Sequence, residues 1–348
     1  MTLQRDYPRR LRVGLVGAGG HAYRLLLPLL TFLPVELVAI CDPQAALVEP
    51  TARQYGVRAH TSTGSMYRSE RLDAVLIAVS PTLHPDLCIE ALEAGLHVWC
   101  EKPIAFRAAE VGRIIAARGD RVVMVGYKKT FMPAIRRVRE ILDREASGKL
   151  LSVLGAYPMT VPTDGAQALA EGRFTPWLSN GCHPVSAMVA IGGQVDAVTT
   201  HLGPGGAGCV VMDYASGAIG NLHLSDGMRG VYERYDVFAQ GAHLTIDNNL
   251  TVTWHRGGTP RGPGDFLPQE PDATGSVSWT IDNAFARTPS RLEMTQGFHG
   301  ELLSFCERVM TGQPATEGTL EFARHVSAIY EAALLSSGNR MPTSYRLA

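Results

Sequence analysis

Apolar and polar positions change in blocks along the first 125 residues. Arg12–Gly17, Val35–Cys41, Ala74–Val79, Leu96–Cys100 and Val122–Val125 are short, largely apolar runs that read as strands buried on both faces. Between them, Ala22–Phe32, Ala45–Tyr55, Pro85–Ala94 and Ala108–Ala117 carry helical spacing. Strand–helix alternation of this kind predicts βαβ units: an α/β domain with a doubly wound parallel sheet and helices on both sides. Gly95 stands where a helix C-terminus calls for a left-handed residue. A helix over Pro133–Arg144 leads onward.

The pattern then changes. Leu150–Val161, Val195–Leu202, Gly208–Tyr214, Ala218–Leu224, Tyr232–Gln240, His243–Ile246 and Leu250–His255 read as strands with tight connections. Asp213–Gly217 and Gln240-Gly241 supply turn chemistry. Strands that follow one another without helices predict a large open, mostly antiparallel sheet in a second α/β domain. One helix, Pro184–Ile191, interrupts the run. Gly257–Gly275, rich in Gly and Pro, is expected to be a surface loop. Two helices, Gly297–Met310 and Thr319–Ser336, close the chain. The change of pattern puts one domain at residues 1–126 and a second at 127–348, with the last helices free to pack back on the first.

Composition narrows the picture. The chain has 348 residues, enough for two cores, and 45% of them are hydrophobic, ordinary for a globular protein. With 32 basic and 33 acidic residues the net charge is −1, which offers no clustered positive excess for nucleic acid. Arg5, Arg9, Arg10 and Arg12 are not followed by the apolar core of a signal peptide. The leucine-rich stretch Leu25–Leu33 is short and broken by Pro28, well under the ~18 apolar residues of a membrane span. A soluble, cytoplasmic protein is the expectation. Six scattered cysteines without a Cys-x-x-Cys pair read as reduced core residues, and the histidines show no metal-ligand spacing. Lysine usage is unusual: only Lys102, Lys128, Lys129 and Lys149 are present, and arginine supplies the rest of the positive charge. Arginine cannot exchange a proton near neutrality, so each lysine merits inspection.

Gly17-Ala18-Gly19-Gly20-His21-Ala22 is a Gly-x-Gly-x-x-Ala turn between the first strand and the first helix. The first glycine permits the tight turn and the second lets a pyrophosphate approach the backbone. Ala22 allows close helix–strand packing, and the helix start offers free N–H groups to phosphate. Asp42 ends the second strand 25 residues after Gly17. A carboxylate there accepts hydrogen bonds from ribose hydroxyls and repels a 2′-phosphate, so the expected cofactor is NAD rather than NADP.

Further on, a helix ending Ala91-Leu92-Glu93-Ala94-Gly95 feeds a strand, His97-Val98, that ends Glu101-Lys102-Pro103. Gly126-Tyr127-Lys128-Lys129-Thr130-Phe131-Met132-Pro133 then leads into the next helix. With these motifs the sequence resembles the glucose–fructose oxidoreductase/inositol dehydrogenase (Gfo/Idh/MocA) family. The resemblance implies a Rossmann domain followed by an open-sheet domain. It also implies hydride transfer between nicotinamide and a secondary alcohol or ketone of a sugar, sugar derivative or cyclitol. Lys102 matches the lysine that reaches substrate and nicotinamide, where an ammonium stabilises a developing alkoxide. Gly17, Gly19, Gly20, His21, Asp42, Ser80, Pro81, His84 and Glu101 fall along the implied cofactor cleft, with Val79-Ser80-Pro81 in place of the usual Thr-Pro-Asn. Tyr127 and Lys129 are candidates for the pocket floor, and Lys128 for a solvated position.

In the second domain the family places an Asp and a His four residues apart at a helix start. His183 matches the histidine, but Ser179 stands at the aspartate position and Ser186 where another Asp commonly follows. An imidazole without flanking carboxylates is mostly neutral at pH 7, which suits a general base that removes an alcohol proton. Ser179, Asn180 and His183 are therefore candidate substrate contacts, with Lys102 and His183 the catalytic pair. Asp164, Arg173 and Trp177 mark Thr163–Leu178 as a candidate lid. The leading expectation is an NAD-dependent dehydrogenase of a polyhydroxylated small molecule, assembled as a homodimer or homotetramer. The missing aspartate keeps open a catalytically silent NAD-binding sensor, and a ketone or imine reductase is a further alternative.

Overall fold

The computed structural model describes residues 7, 9–227, 232–256, 275–280 and 292–343. Arg5 and the expected loop as far as residue 274 lie outside them; Gly275 opens a strand. The chain divides into two units. One runs to Phe131 and resumes at Leu292–Ser327, and the other takes Met132–Arg291 and resumes at Ala328.

The first unit is built on six strands: β1 (Leu11–Val16), β2 (Val35–Cys41), β3 (Arg58–His60), β4 (Ala74–Ile77), β5 (His97–Cys100) and β6 (Val123–Val125). All pair in parallel, in the order β3-β2-β1-β4-β5-β6. This is the doubly wound order whose direction of winding reverses between β1 and β4, opening a crevice at the strands' carboxyl ends. Leu11, Val13, Leu15, Ala74, Leu76 and Trp99 join Leu302, Phe305 and Cys306 of the helix Phe298–Thr311 in one buried cluster.

The helix expected at Ala22–Phe32 is a composite. A π-helical turn, Ala22–Leu26, gives way to one α turn, Leu27–Leu29, and a 3₁₀ turn, Leu30–Phe32. Pro28 explains the break: it has no N–H to give an i−4 carbonyl, and the chain instead closes a wider ring from Leu27 N–H to Ala22 O. The sequence reading also passed over β3 and the helix Thr63–Ser69. The helix is capped by Ser62, whose hydroxyl accepts the Ser65 N–H at 3.2 Å.

The second unit holds nine strands: β7 (Leu150–Tyr157), β8 (Val195–Leu202), β9 (Gly208–Tyr214), β10 (Ile219–Leu224), β11 (Arg234–Ala239), β12 (Ala242–Asp247), β13 (Thr251–Arg256), β14 (Gly275–Thr280) and β15 (Met341–Pro342). Their order is β14-β13-β12-β11-β7-β10-β9-β8-β15, antiparallel throughout except for the parallel pair β7–β10. Tyr235, Val237 and Leu244 are fully buried, and the helices Cys182–Gly192 and Pro133–Leu142 lie against this sheet. The alternate residues Arg234, Asp236, Phe238 and His243 face the other way and are half-buried. Thr163–Leu178, expected as a loop, contains the short helix Gly165–Ala170 and the start of Pro176–Asn180.

Candidate active site

At the carboxyl edge of the parallel sheet the first feature is the turn after β1. Gly17 has φ +102°, and a Cβ there would lie 2.2 Å from the carbonyl oxygen of Ala78 at the end of β4. No side chain fits, so the turn requires glycine. A Cβ at Gly19 would meet nothing within 4 Å, which leaves the backbone open to a ligand. Asp42, nearly buried, accepts Ala18 N–H at 3.0 Å on Oδ2 and Gln44 N–H at 2.9 Å on Oδ1. Each oxygen keeps a further lone pair, enough for two ribose hydroxyls. Ser80 is exposed after β4, its hydroxyl 3.2 Å from that of Thr82, and half-buried Pro81 opens the following 3₁₀ turn. These features fit a dinucleotide: a cradle that tolerates no Cβ, an open backbone and a carboxylate with spare acceptors.

Glu101 and Lys102 follow β5. The Glu101 carboxylate is buried; its Oε1 lies 2.7 Å from His21 Nε2 and its Oε2 accepts the Lys102 N–H at 3.0 Å. The acid thus ties the glycine turn to the strand end that presents half-buried Lys102. His84 departs from expectation. It is fully buried, with Nδ1 2.8 Å from Pro103 O, and burial holds its imidazole neutral, below the ordinary range. Walled in this way, it shapes the loop behind Lys102 and has no surface for a cofactor. Tyr127 is likewise buried, edge-on to Phe322 with ring centres 5.5 Å apart, so it belongs to the core of this unit. Lys129 is buried as well.

Lys128 is a second departure. Expected in solvent, it donates from Nζ to Gln296 Oε1 at 2.7 Å and stands 4.5 Å from the Phe298 ring centre. Burial first, then the like charges of Lys129 and Lys102, pull its ammonium down to about 8. Glu301, on the same helix as Phe298, is completely buried, and among the described residues neither carboxyl oxygen has a hydrogen-bond partner. Burial and Glu101 hold its carboxyl protonated, well above the usual range, against the pull of Lys128 and Lys102. Nothing local marks either residue: 173 positions separate them in the sequence. The scarcity of lysine was the only usable signal.

In the second unit, half-buried His183 sits in the first turn of Cys182–Gly192. Before it, Thr175 caps Pro176–Asn180 by accepting Leu178 N–H at 3.2 Å, and Asn180 is exposed. The Ser179 hydroxyl donates to Pro176 O and that of Ser186 to His183 O, both at 3.1 Å. Both hydroxyls are engaged by backbone, and neither position gives His183 a carboxylate. This unit holds a buried carboxylate on other partners: Glu233 accepts from Tyr235 OH at 2.6 Å and from Asn249 Nδ2 at 2.7 Å. Burial, Glu233 and Cys182 together raise the Tyr157 hydroxyl. Of the suggested lid residues, Trp177 is buried edge-on to Tyr330, while Asp164 and Arg173 pair with each other.

Residues 11–128 match the family described as an oxidoreductase family with an NAD-binding Rossmann fold, Gfo/Idh/MocA. This segment, about a third of the chain, is similar to the NAD-binding Rossmann part of that family. The chain is 31% identical to inositol 2-dehydrogenase of Salmonella typhimurium over 163 residues, 44% of this chain and 48% of that protein. The match therefore spans about half the length of that relative. Over 339 residues, 92% of this chain and 96% of the relative, it is 26% identical to D-xylose 1-dehydrogenase (NADP(+)) 2 of Haloferax volcanii. The crystal structure of a dehydrogenase from Chromobacterium violaceum shares the fold, with a TM-score of 0.79 at 21% identity over 93% of this chain and 94% of that one. Among the described residues, no group of three or more His, Cys, Asp or Glu could hold a metal ion, and no helix is long and apolar enough to cross a membrane.

Proposed function

We propose that this protein is an NAD-dependent dehydrogenase acting on a secondary alcohol of a sugar, sugar derivative or cyclitol. One observation carries the reading: the Glu101 carboxylate joins His21 of the glycine turn to the backbone of Lys102, so the cofactor turn and a half-buried ammonium share one sheet edge. The similarity to an inositol 2-dehydrogenase and a D-xylose 1-dehydrogenase supports the substrate class. Bound NAD supplies the hydride acceptor. Gly17, Gly19 and Gly20 receive its phosphates, and Asp42 takes the ribose hydroxyls and disfavours a 2′-phosphate. Lys102 stabilises the oxygen as it becomes an alkoxide, and His183 exchanges its proton. The protein works in the cytoplasm as a homodimer or homotetramer, with the open face of the nine-stranded sheet as the natural meeting surface.

Fluorescence titration with NADH and NADPH, then a panel of sugars and cyclitols with the tighter cofactor, tests this reading. Preferential NADH binding and oxidation of a polyol support it, and failure to bind either nucleotide overturns it. A second reading, a dinucleotide-loaded sensor without turnover, draws on the hydroxyls of Ser179 and Ser186 being held by backbone. Tight NADH binding with silence across polyols, ketones and imines would favour it.

A further inference from the structure

The second unit contains a cleft of about 330 Å³ where three segments meet. They are Pro162-Thr163 beyond β7, the end of β8 from Thr200, and the end of the helix Leu320–Ser336 with Ser337-Gly338 after it. None of the catalytic or cofactor candidates lines it. Its corner is set by backbone. Ser337 and Gly338 have φ +41° and +84°, two left-handed residues in succession, and they turn the chain back towards β8. Gly338 N–H then donates to Thr200 O at 2.9 Å, and the Ser336 hydroxyl accepts Thr200 N–H at 2.8 Å. A Cβ on Gly165 would lie 2.5 Å from Leu334 O, so the helix Gly165–Ala170 packs directly on the same helix end. These contacts hold the walls in place without using the cleft's own surface.

The lining has a definite chemistry. Thr163, Thr200 and Ser337 bring hydroxyls, His201 an imidazole, and Leu202 and Leu334 apolar surface. Among the described lining residues there is no carboxylate, lysine or arginine, so a charged ligand would leave its charge unpaired. Thr200 is 2% exposed and both its backbone groups are engaged, yet its hydroxyl has no hydrogen-bond partner among the described residues. A buried hydroxyl without a partner runs against the rule for folded chains and gains from any ligand that supplies one. The volume stands at the low end of small-molecule sites, which start near ~300 Å³.

We propose that this cleft is a second ligand site, one that takes a neutral polyol of monosaccharide or cyclitol size. Such molecules carry hydroxyls around their edges and C–H groups on their faces, which suits three hydroxyls set beside two leucines. The inference goes beyond the dehydrogenase reading and does not depend on it, because the cleft binds without reacting and uses none of the residues assigned to nucleotide or proton transfer.

The test uses the full chain without nucleotide, labelled at threonine methyl groups for NMR. The Thr200 resonance is identified as the one missing from Thr200→Val. D-xylose and myo-inositol, each added alone, should displace that resonance saturably. D-xylonate, similar in size but carrying a carboxylate, should bind at least ~tenfold more weakly. Thr163→Trp fills the cleft from an exposed position and should abolish the displacement, while the remaining threonine resonances stay where they are. Thr200→Val keeps the shape and removes the hydroxyl, so D-xylose binding followed at the Thr163 methyl should weaken roughly fivefold, the scale of one hydrogen bond. A general change of the threonine spectrum would mark Thr163→Trp as misfolded, and Thr200→Val then decides. A Thr200 resonance unmoved by both polyols, a displacement that persists in Thr163→Trp, or unchanged affinity in Thr200→Val overturns the proposal. D-xylonate binding as tightly as D-xylose overturns the neutral class. Failure to bind NADH, measured separately, overturns the dehydrogenase reading and leaves this site standing.

Discussion

The carboxyl edge of the parallel sheet and the start of the helix Cys182–Gly192 solve opposite problems. The sheet edge gathers charge: His21, Glu101, Lys102, Lys128 and Glu301 act on one another across four separate segments. At the helix start, Ser179 and Ser186 lie in the chain on either side of His183, and both hydroxyls are bound to backbone carbonyls. Charge in the first region is thus tuned by neighbouring groups, whereas in the second neither serine adds a charge beside His183. The comparison teaches where perturbation should matter: removing a charge from the sheet edge alters the charged groups that act on it.

The largest expected effect breaks that contrast directly. Lys102→Ala should lower turnover on the true substrate by about 10²–10⁴-fold, with NADH affinity little changed, the range of acid–base and electrostatic groups. His183→Ala should cost at least ~100-fold. Steady-state kinetics beside fluorescence titration of each variant separates the two. Near-native turnover of His183→Ala would move the proton exchange away from the helix start.

How far these regions were legible in the sequence follows from how their groups are held together. The glycine turn, Asp42 and Glu101-Lys102 are local motifs at strand ends, and strand ends are visible in the apolar pattern; β2 and the helix Ala45–Tyr55 match their expected limits. The helix Thr63–Ser69 escaped because it begins on a polar cap and buries only Met66. Pro28 was visible, but its consequence, a π turn, depends on the chain finding another carbonyl for Leu27 N–H. Lys128 looked like a solvated lysine because what buries it, Gln296 and Phe298, arrives about 170 residues later. The same distance hid Glu301, which on its own helix resembles any amphipathic glutamate. His84 illustrates the converse: its place beside a motif suggested a ligand contact, whereas its ring is committed to Pro103 O inside the core.

A smaller effect, on stability, sharpens the difference between the two buried acids. Glu301 is raised by burial and by Glu101, so at pH 7 folding must return a proton to a group that is ionised in the unfolded chain. For a carboxyl raised in the native state, this penalty is absent below the unfolded range near ~4.3 and grows as pH rises above it. Glu301→Gln should therefore stabilise the protein at pH 7, with the gain shrinking towards zero at pH 4. Glu101→Gln should do the reverse at pH 7, since it weakens the hydrogen bonds that a carboxylate makes to His21 and to the Lys102 N–H. Urea unfolding of the two variants at both pH values measures the contrast, and equal signs at pH 7 would show that the acids are not held differently.

The smallest effect isolates Lys128. Its amine is lowered to about 8 from the model-peptide value of 10.5, chiefly by burial. Between these values the unfolded chain binds the proton more readily than the folded one, so stability rises with pH across the interval from about 8 to 10.5. Below pH 8 both states are protonated and the folded state bears the full cost of a poorly solvated ammonium. Lys128→Met removes the group, so the difference in stability between variant and native chain should be largest below pH 8 and should close as pH approaches 10.5. Residual solvent contact limits the gain at pH 7 to about 1–2 kcal/mol. Other groups titrate in the same interval, and for that reason the difference curve, rather than either melting curve alone, is the quantity to follow. A difference constant from pH 7 to 10.5 would mean that Lys128 keeps its proton throughout, and the charge that separates this edge from the His183 helix would then be permanent rather than exchangeable.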